Sequence, residues 1–372
     1  MLAYILRRLL LILPTLLGIM VINFVIVQFA PGGPVEQVIA QVTGTAADST
    51  ARISGATGGE TGGGAASGAF AQAAEGASAR YRGAQGLDPE FIKRIEKQFG
   101  FDKPAHERLW LMLKQYARLD FGTSYFKDRP VTQLILEKLP VSISLGLWTT
   151  LIVYLISIPL GIAKAVRDGS RFDIWTSGAI VVGYAIPGFL FAVLLVVLFA
   201  GGSFVQWFPL RGLTSDNWTQ LGLIDKVLDY FWHLVLPVSA MVIGGFASLV
   251  MLTKNSFMEE INKLYVLTAR AKGLSERRVL YGHIFRNAML IVIAGFPGAF
   301  IGILFTSSLL IEVIFSLDGL GLLGFEAALK RDYPIMFGSL FIFTLLGLIV
   351  GLISDLMYVM VDPRIDFESR DA

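Results

Sequence analysis

The chain has 372 residues, of which 54% are apolar and 16% charged, with a mean hydropathy of +0.65; an ordinary soluble domain carries about 25% charged residues. That shortage of polar surface excludes a water-soluble enzyme, a disordered hub and a nucleic-acid-binding domain, and the net charge of +2 carries no message as a whole. No cysteine occurs, so disulfides, thiolate metal sites and a cysteine nucleophile are absent.

The first long apolar run is Leu9–Ala30, behind Arg7 and Arg8. It is longer than the apolar stretch of a secretion signal, about 7–15 residues, and it ends in Phe29-Ala30-Pro31, a poor cleavage site. Residues 1–30 therefore read as an uncleaved first membrane helix. Residues 31–139 follow as one long segment outside the bilayer. Within it Thr43–Gly86 holds 11 glycines and 13 alanines and lacks the bulky apolar groups that offset the entropy of ordering, so a flexible excursion is expected. Residues 88–119 look folded. Asp88-Pro89 is a helix start, with Asp as N-cap and Pro at the first helical position. This helix, Pro89–Phe99, should stop at Gly100. A second, Ala105–Leu119, carries Leu109, Leu113, Tyr116 and Ala117 on one face. Both are expected to lie flat on the outer mouth of the membrane domain, and a docking role is the alternative.

Residues 140–361 contain five more candidate spans: Val141–Val166, Ile174–Ala200, His233–Thr253, Met289–Phe315 and Ile335–Val361. Six crossings put both termini on one side, and 362–372 form a short tail there. With the N-terminus inside, the inner flanks hold fourteen Lys and Arg and the two short outer loops hold four. The positive-inside rule then places both termini in the cytoplasm. The aromatic stretch Phe204, Trp207, Phe208, Trp218, Tyr230, Phe231 and Trp232 fits an interfacial belt.

The connection 254–288 is far longer than a turn between two spans needs. Gly273 follows a helical stretch rich in small residues, as a C-terminal cap would, and Ser275 offers an N-cap for a helix Glu276–Ala288. The expected shape is helix, tight turn, helix, with Ala269 and Ala271 exposed for the close approach of another protein. A solvated loop, basic only because it faces the cytoplasm, is the alternative. The costly polar groups within spans are Asn23 and Gln28 in the first, Glu312 near the end of the fifth and Asp355 in the sixth. Asn23 should bond a neighbouring helix, Glu312 should be solvated or pair with a loop cation, and Asp355 should pair with Lys254 or Arg364. The three histidines, His106, His233 and His283, are far apart in sequence, and no metal site is expected. No Gly-Lys dipeptide occurs, so there is no P-loop.

The stretch Tyr265-Val-Leu-Thr-Ala-Arg-Ala-Lys-Gly-Leu274, followed by His283-Ile-Phe-Arg-Asn-Ala288, resembles the cytoplasmic loop of binding-protein-dependent ABC importer permeases, in its oligopeptide and dipeptide variant. Leu267 stands where the broader importer pattern has Glu, which points away from sugar and amino-acid permeases. Ala30-Pro-Gly-Gly-Pro34, Phe99-Gly-Phe-Asp-Lys-Pro104, Asp120-Phe-Gly-Thr-Ser124 and Glu312-Val-Ile-Phe-Ser-Leu-Asp-Gly-Leu-Gly321 resemble other landmarks of the same permeases. The opening of the chain is similar to the first permease of Yej-type importers, which take up peptides and microcin C-like compounds.

The resemblance implies an all-α, six-helix, type I ABC importer permease fold with a large periplasmic insertion after the first helix. It implies a transport subunit of the bacterial inner membrane, not an enzyme, that needs no cofactor. Its partners would be a homologous second permease, two cytoplasmic ATPase domains (on separate chains or fused in one), and a periplasmic peptide-binding protein. Thr268, Ala269, Arg270, Ala271, Lys272, Gly273 and Leu274 would form the ATPase-coupling loop, and Asn23, Glu312 and Asp355 would be intramembrane polar or pathway residues. A nickel or other small-solute ABC permease is the alternative, and a secondary transporter is a more distant one. The latter would be expected to show an inverted repeat or several mid-bilayer ionisable groups, and only Asp355 is of that kind.

Overall fold

Long apolar runs with few breakers become long helices. In the computed structural model, which describes residues 2–29, 33–42, 88–201, 204–306 and 309–361, these are α1 (Leu2–Phe29), α5 (Val131–Val166), α8 (Leu223–Ile261) and α14 (Tyr333–Val361). Each is long and apolar enough to cross a bilayer. Between them lie α2 (Pro34–Val42), α3 (Pro89–Gln98), α4 (Ala105–Tyr116), α6 (Arg171–Ala185), α7 (Gly188–Phe199) and α9 (Leu264–Ala271). The helix α10 runs over Glu276–Ala288, and α11 (Leu290–Thr306), α12 (Leu309–Ile314) and α13 (Leu320–Lys330) complete the order. Among the described residues the extended pairing is limited to one isolated bridge, Thr123 with Pro130. The Gly/Ala-rich stretch 43–86 and the tail 362–372 lie outside the described residues.

Two expected spans are bent. The third is α6 and α7, joined at Ile186-Pro187 with an angle of 88°. Proline has no N–H to continue the helix and pushes its predecessor towards extended backbone, and Ile186 has φ −85° and ψ 116°. The fifth joins α10 at Met289 with a bend of 49°. By length and composition, counting each bent pair once gives up to six candidate crossings among the described residues. Pro14, Pro140, Pro159, Pro237 and Pro297 remain inside their helices, as neighbours allow in a membrane. The fourth span runs well past its expected limits His233–Thr253 because neither flank contains a breaker before Gly222 or Asn262.

The chain divides into two compact units. One comprises 11–137 and 323–344. Here Asp88 caps α3 by accepting from the Glu90 N–H at 2.9 Å, and Gly100, at φ +73°, ends it. The Phe101 N–H reaches back to the Glu96 carbonyl at 2.8 Å. Val35 and Ile39 of α2 pack on Ile92, Ile95 and Phe99. On α4, Tyr116 is buried, Leu109 and Leu113 are half-buried and Ala117 is exposed. Asp332 is buried and accepts from Ser124 Oγ at 2.5 Å and from the Tyr125 N–H at 3.2 Å.

The other unit comprises 1–10, 138–322 and 345–372. Its helices α5 and α8 touch at Gly161, where an added Cβ would lie 2.6 Å from Thr253 Cβ and 2.9 Å from the Val250 carbonyl. Gly188 likewise brings α7 against the Ala240 carbonyl of α8. The aromatic stretch is partly exposed: the Phe208 and Trp232 ring centres lie 4.4 Å apart, tilted by 30°, and the Trp232 indole N–H donates to the Trp207 carbonyl at 3.0 Å.

Candidate functional site

The connection from α8 to α11 folds as helix, turn, helix. After Asn262, α9 begins at Leu264 and ends at Ala271. Gly273, with φ +78°, occupies the left-handed cap position. The Gly273 N–H donates to the Arg270 carbonyl at 2.9 Å, and the Leu274 N–H to the Ala269 carbonyl at 3.4 Å, the paired bonds of a Schellman ending. Ser275 stands at the start of α10 in extended backbone. Residues Leu280–Ile284 of α10 form a single π-helical turn.

One face of this element is core. Val266, Ala269, Val279, Ile284 and Ala288 are buried with Phe257 of α8. Ser256 Oγ donates to the Ala288 carbonyl at 2.6 Å, which ties the end of α10 to α8. The Tyr265 hydroxyl donates to Glu260 Oε2 at 2.6 Å. Burial, and then the Glu260 carboxylate, raise the Tyr265 hydroxyl above its ordinary range and keep it a donor. Lys263 pairs with the same carboxylate.

The opposite face is exposed and basic. It presents Leu264, Leu267, Thr268, Ala271, Lys272, Gly273, Arg277, Arg278, Tyr281 and His283. Arg270 Nε and Nη2 lie 3.0 Å from the two oxygens of Glu276, a fork that braces the turn. Leu274 is half-buried against the core. The sequence expectation is corrected at Ala269, which is 7% exposed. It lies three residues after Val266, on the same helix face, and that face is the inner one. Ala271 is exposed as expected.

Beside this element the ends of α5, α6 and α8 share a charge cluster. Lys164 has no exposed surface. Its ammonium donates to the Asp173 carbonyl at 2.9 Å, to Thr176 Oγ1 at 2.9 Å and to Ser177 Oγ at 2.7 Å. Asp173 Oδ1 lies 2.8 Å away, off the hydrogen-bond direction, and acts as the counter-charge. Lys254 Nζ contacts Asp173 Oδ2 and Asp168 Oδ1, each at 2.7 Å. The Gly169 N–H and Ser170 Oγ complete the turn around Asp173. A sequence reading that treats Lys164 only as one of the flanking positive charges misses this. The available signal was a lysine before the last apolar residue of a span, a position where an ionisable group needs a partner.

Asn23, Asp355 and Glu312 resolve differently from expectation. Asn23 donates to the Ile19 carbonyl of its own helix at 2.9 Å. Asp355 takes Arg8 Nη2 and the Tyr4 hydroxyl, each at 2.8 Å; Lys254 is engaged elsewhere, and Arg364 lies outside the described residues. Glu312 is fully buried and accepts from the Leu322 N–H at 2.7 Å, so it is not solvated. Gly319 leaves room for its carboxyl. Each of the three has polar partners of its own. A separate cavity of about 470 Å³ lies at the α6–α7 bend, lined by Thr149, Phe189, Met241 and backbone at Gly188, Gly244 and Gly245.

Among the described residues no group of three His, Asp or Glu side chains is placed to hold a metal ion.

The chain matches the family model described as binding-protein-dependent transport system inner membrane component over residues 157–367. It is 63% identical over 369 residues to the peptidoglycan transport system permease protein YejB of Agrobacterium fabrum, covering 99% of each chain. It is 59% identical over 370 residues to the inner membrane ABC transporter permease protein YejB of Escherichia coli, covering 99% of this chain and 100% of that one. The oligopeptide transport system permease protein AppB of Bacillus subtilis is 32% identical over 372 residues, covering 99% and 100%.

Proposed function

The chain belongs to the family of binding-protein-dependent transport system inner membrane components, permease subunits of ABC importers, and from that premise we propose that it carries peptides inward across the bacterial inner membrane. A second permease completes the pathway, a periplasmic binding protein delivers the peptide, and two ATPase domains drive the cycle from the cytoplasm. The segment 264–288 is the handle the ATPases grip, and Thr268–Leu274 is its tip. The orientation follows from the basic flanks: both termini and the handle face the cytoplasm, and 31–139 face the periplasm. Microcin C-like peptides belong to the proposed substrate range. Peptide-bearing peptidoglycan fragments are a second reading, favoured by the name of the relative at 63% identity.

The observation that carries this reading is the two-sided handle. Its inner face is locked to α8 by Ser256 and Phe257. Its outer face offers a small residue, Ala271, beside a rigid turn. Force applied to the outer face therefore reaches a membrane helix through packed side chains rather than through a loose loop. The alternative of a solvated basic loop would not need that burial.

The test is purification of the full chain from native membranes with its partners identified by mass, followed by reconstitution in proteoliposomes. Uptake of labelled peptide should require the co-purified ATPase, ATP and the binding protein. Uptake driven by an ion gradient without the ATPase would overturn the reading.

A further inference from the structure

The unit formed by 11–137 and 323–344 contains a cavity of about 340 Å³ that the transport cycle does not call on. Ligand pockets span about 300–1,000 Å³. Its walls are aromatic, from Phe24, Phe101, Tyr116, Phe121 and Tyr333, and its cations are Lys97, Lys103 and Arg108. Among the described residues that line it, none is a carboxylate.

Arg108 is preset. Its Nη2 donates to Gln28 Oε1 at 2.7 Å, and its guanidinium lies 4.3 Å from the Phe101 ring centre and 6.0 Å from that of Phe24. Lys97 and Lys103 are exposed at the rim. The cavity is therefore a concentration of positive charge on an apolar floor, a combination that selects an anion attached to an apolar body.

Position narrows the class. Phe24 and Gln28 lie in the last turns of α1, and Tyr333 and Phe337 in the first turns of α14, with Phe24 and Phe337 rings 6.2 Å apart. Both helices are membrane-crossing, so the cavity sits where hydrocarbon gives way to water. The same turns of α1 expose Ile22, Val25, Ile26 and Phe29, and α4 exposes Trp110 at 69%. Tryptophan is enriched at that level of a bilayer, and Lys and Arg close to a membrane surface attract anionic headgroups electrostatically.

We propose that this cavity binds the headgroup of an anionic phospholipid, its phosphate drawn to Arg108, Lys97 and Lys103 and its acyl chains lying along the exposed face of α1. The lipid would seat α3 and α4 on the membrane surface.

The experiment is native mass spectrometry of the full chain in detergent after exchange with phosphatidylglycerol or phosphatidylcholine. Wild type should retain phosphatidylglycerol in preference to phosphatidylcholine. Each cation removed should weaken retention about fivefold, so Lys97→Gln with Lys103→Gln should release most of the lipid. Both lysines are exposed, so in lipid-free detergent this variant should keep the wild-type melting temperature. Arg108→Gln should also release lipid, and its melting temperature separates lost binding from lost packing. Equal retention of the two lipids by wild type, or unchanged retention by the double lysine variant, would overturn the proposal. Displacement of the lipid by inorganic phosphate alone would reassign the cavity to free phosphate, and displacement by a peptide with a free carboxyl terminus would reassign it to substrate; either result defeats the lipid proposal.

Discussion

Lys164 Nζ sits 2.8 Å from Asp173 Oδ1, with the lysine wholly buried and the aspartate 6% exposed. A buried charge is tolerated only when its counter-charge and hydrogen bonds are supplied, and here all three ammonium protons have acceptors. The arrangement joins the end of α5 to the start of α6, and Lys254 adds α8 through the other oxygen of Asp173.

Removing one partner should therefore be severe. Lys164→Met should lower stability by about 3–5 kcal/mol, the cost of stranding a buried charge. Lys254 stays beside Asp173, so the loss should fall at the lower end. Lys254→Ala should cost less, because that lysine is 12% exposed and also meets the half-exposed Asp168. Thermal melting of the purified variants in one detergent checks both. A Lys164→Met protein that melts with wild type would show that the cluster is not structural.

The two alanines of the handle should separate by phenotype. Ala271→Trp, on the exposed face, should leave the melting temperature unchanged while abolishing retention of the ATPase and peptide-stimulated hydrolysis. Ala269→Trp, inside the core, should cost about 1–3 kcal/mol through overpacking before any partner is considered. Pull-down of the ATPase together with melting curves distinguishes them. Normal assembly and uptake with Ala271→Trp would return this face to solvent.

Gly273 adopts φ +78°, a region that costs a side-chain-bearing residue about 1–2 kcal/mol. Gly273→Ala should therefore weaken coupling and stability modestly. Gly273→Asn should be milder, because Asn tolerates this conformation. Gly273→Pro should be worse than either, since proline is fixed near φ −65°. Stimulated ATPase activity across the three variants should fall in that order, Asn, Ala, Pro. Equal activity in all three would mean that the turn geometry is not transmitted.

Glu312 and Gly319 form a second pair open to test. A Cβ at residue 319 would lie 2.4 Å from Glu312 Oε1, so Gly319→Ala must displace the carboxyl from the Leu322 N–H. The expected loss is about 1–3 kcal/mol, that of an unsatisfied buried group. Glu312→Gln keeps an acceptor and should lose less. Melting temperatures check the order, and the reverse order would remove the hydrogen bond as the reason for the glycine.

Topology can be read directly with reporter fusions. Fusions after Gly33, Gly212 and Arg331 should report the periplasm, and those after Gly169 and Gly273 the cytoplasm. A periplasmic signal at Gly273 would defeat both the orientation and the handle.

The sequence was most legible where local chemistry decides. Asp88-Pro89 started its helix, Gly100 ended it, and Gly273 capped α9 as its position in the pattern required. The long apolar runs became spans because hydrophobicity and length alone decide that. Partner choice was not legible. Asp355 met Arg8 and Tyr4 from the far end of the chain, and Asn23 met its own backbone, because such pairings depend on packing between distant helices. The direction of Ala269 depended on a phase of one residue in a short helix. The 88° bend was marked by Pro187, yet other prolines in this chain sit inside continuous helices, so the residue type by itself did not fix the outcome.

The π-helical turn at Leu280–Ile284 has a consequence for how sequence length relates to direction. The wide turn closes its hydrogen bond one residue later than an α turn, so it takes up one extra residue while the flanks of α10 keep their phase. A single deletion inside 280–284 should therefore restore regular winding with Arg277 and Arg278 facing as before, whereas a deletion in the regular winding beside it rotates the residues beyond by about 100°. With Ile284 and Ala288 anchored in the core, this turn is where the length of α10 can change without redirecting the charges of the docking face.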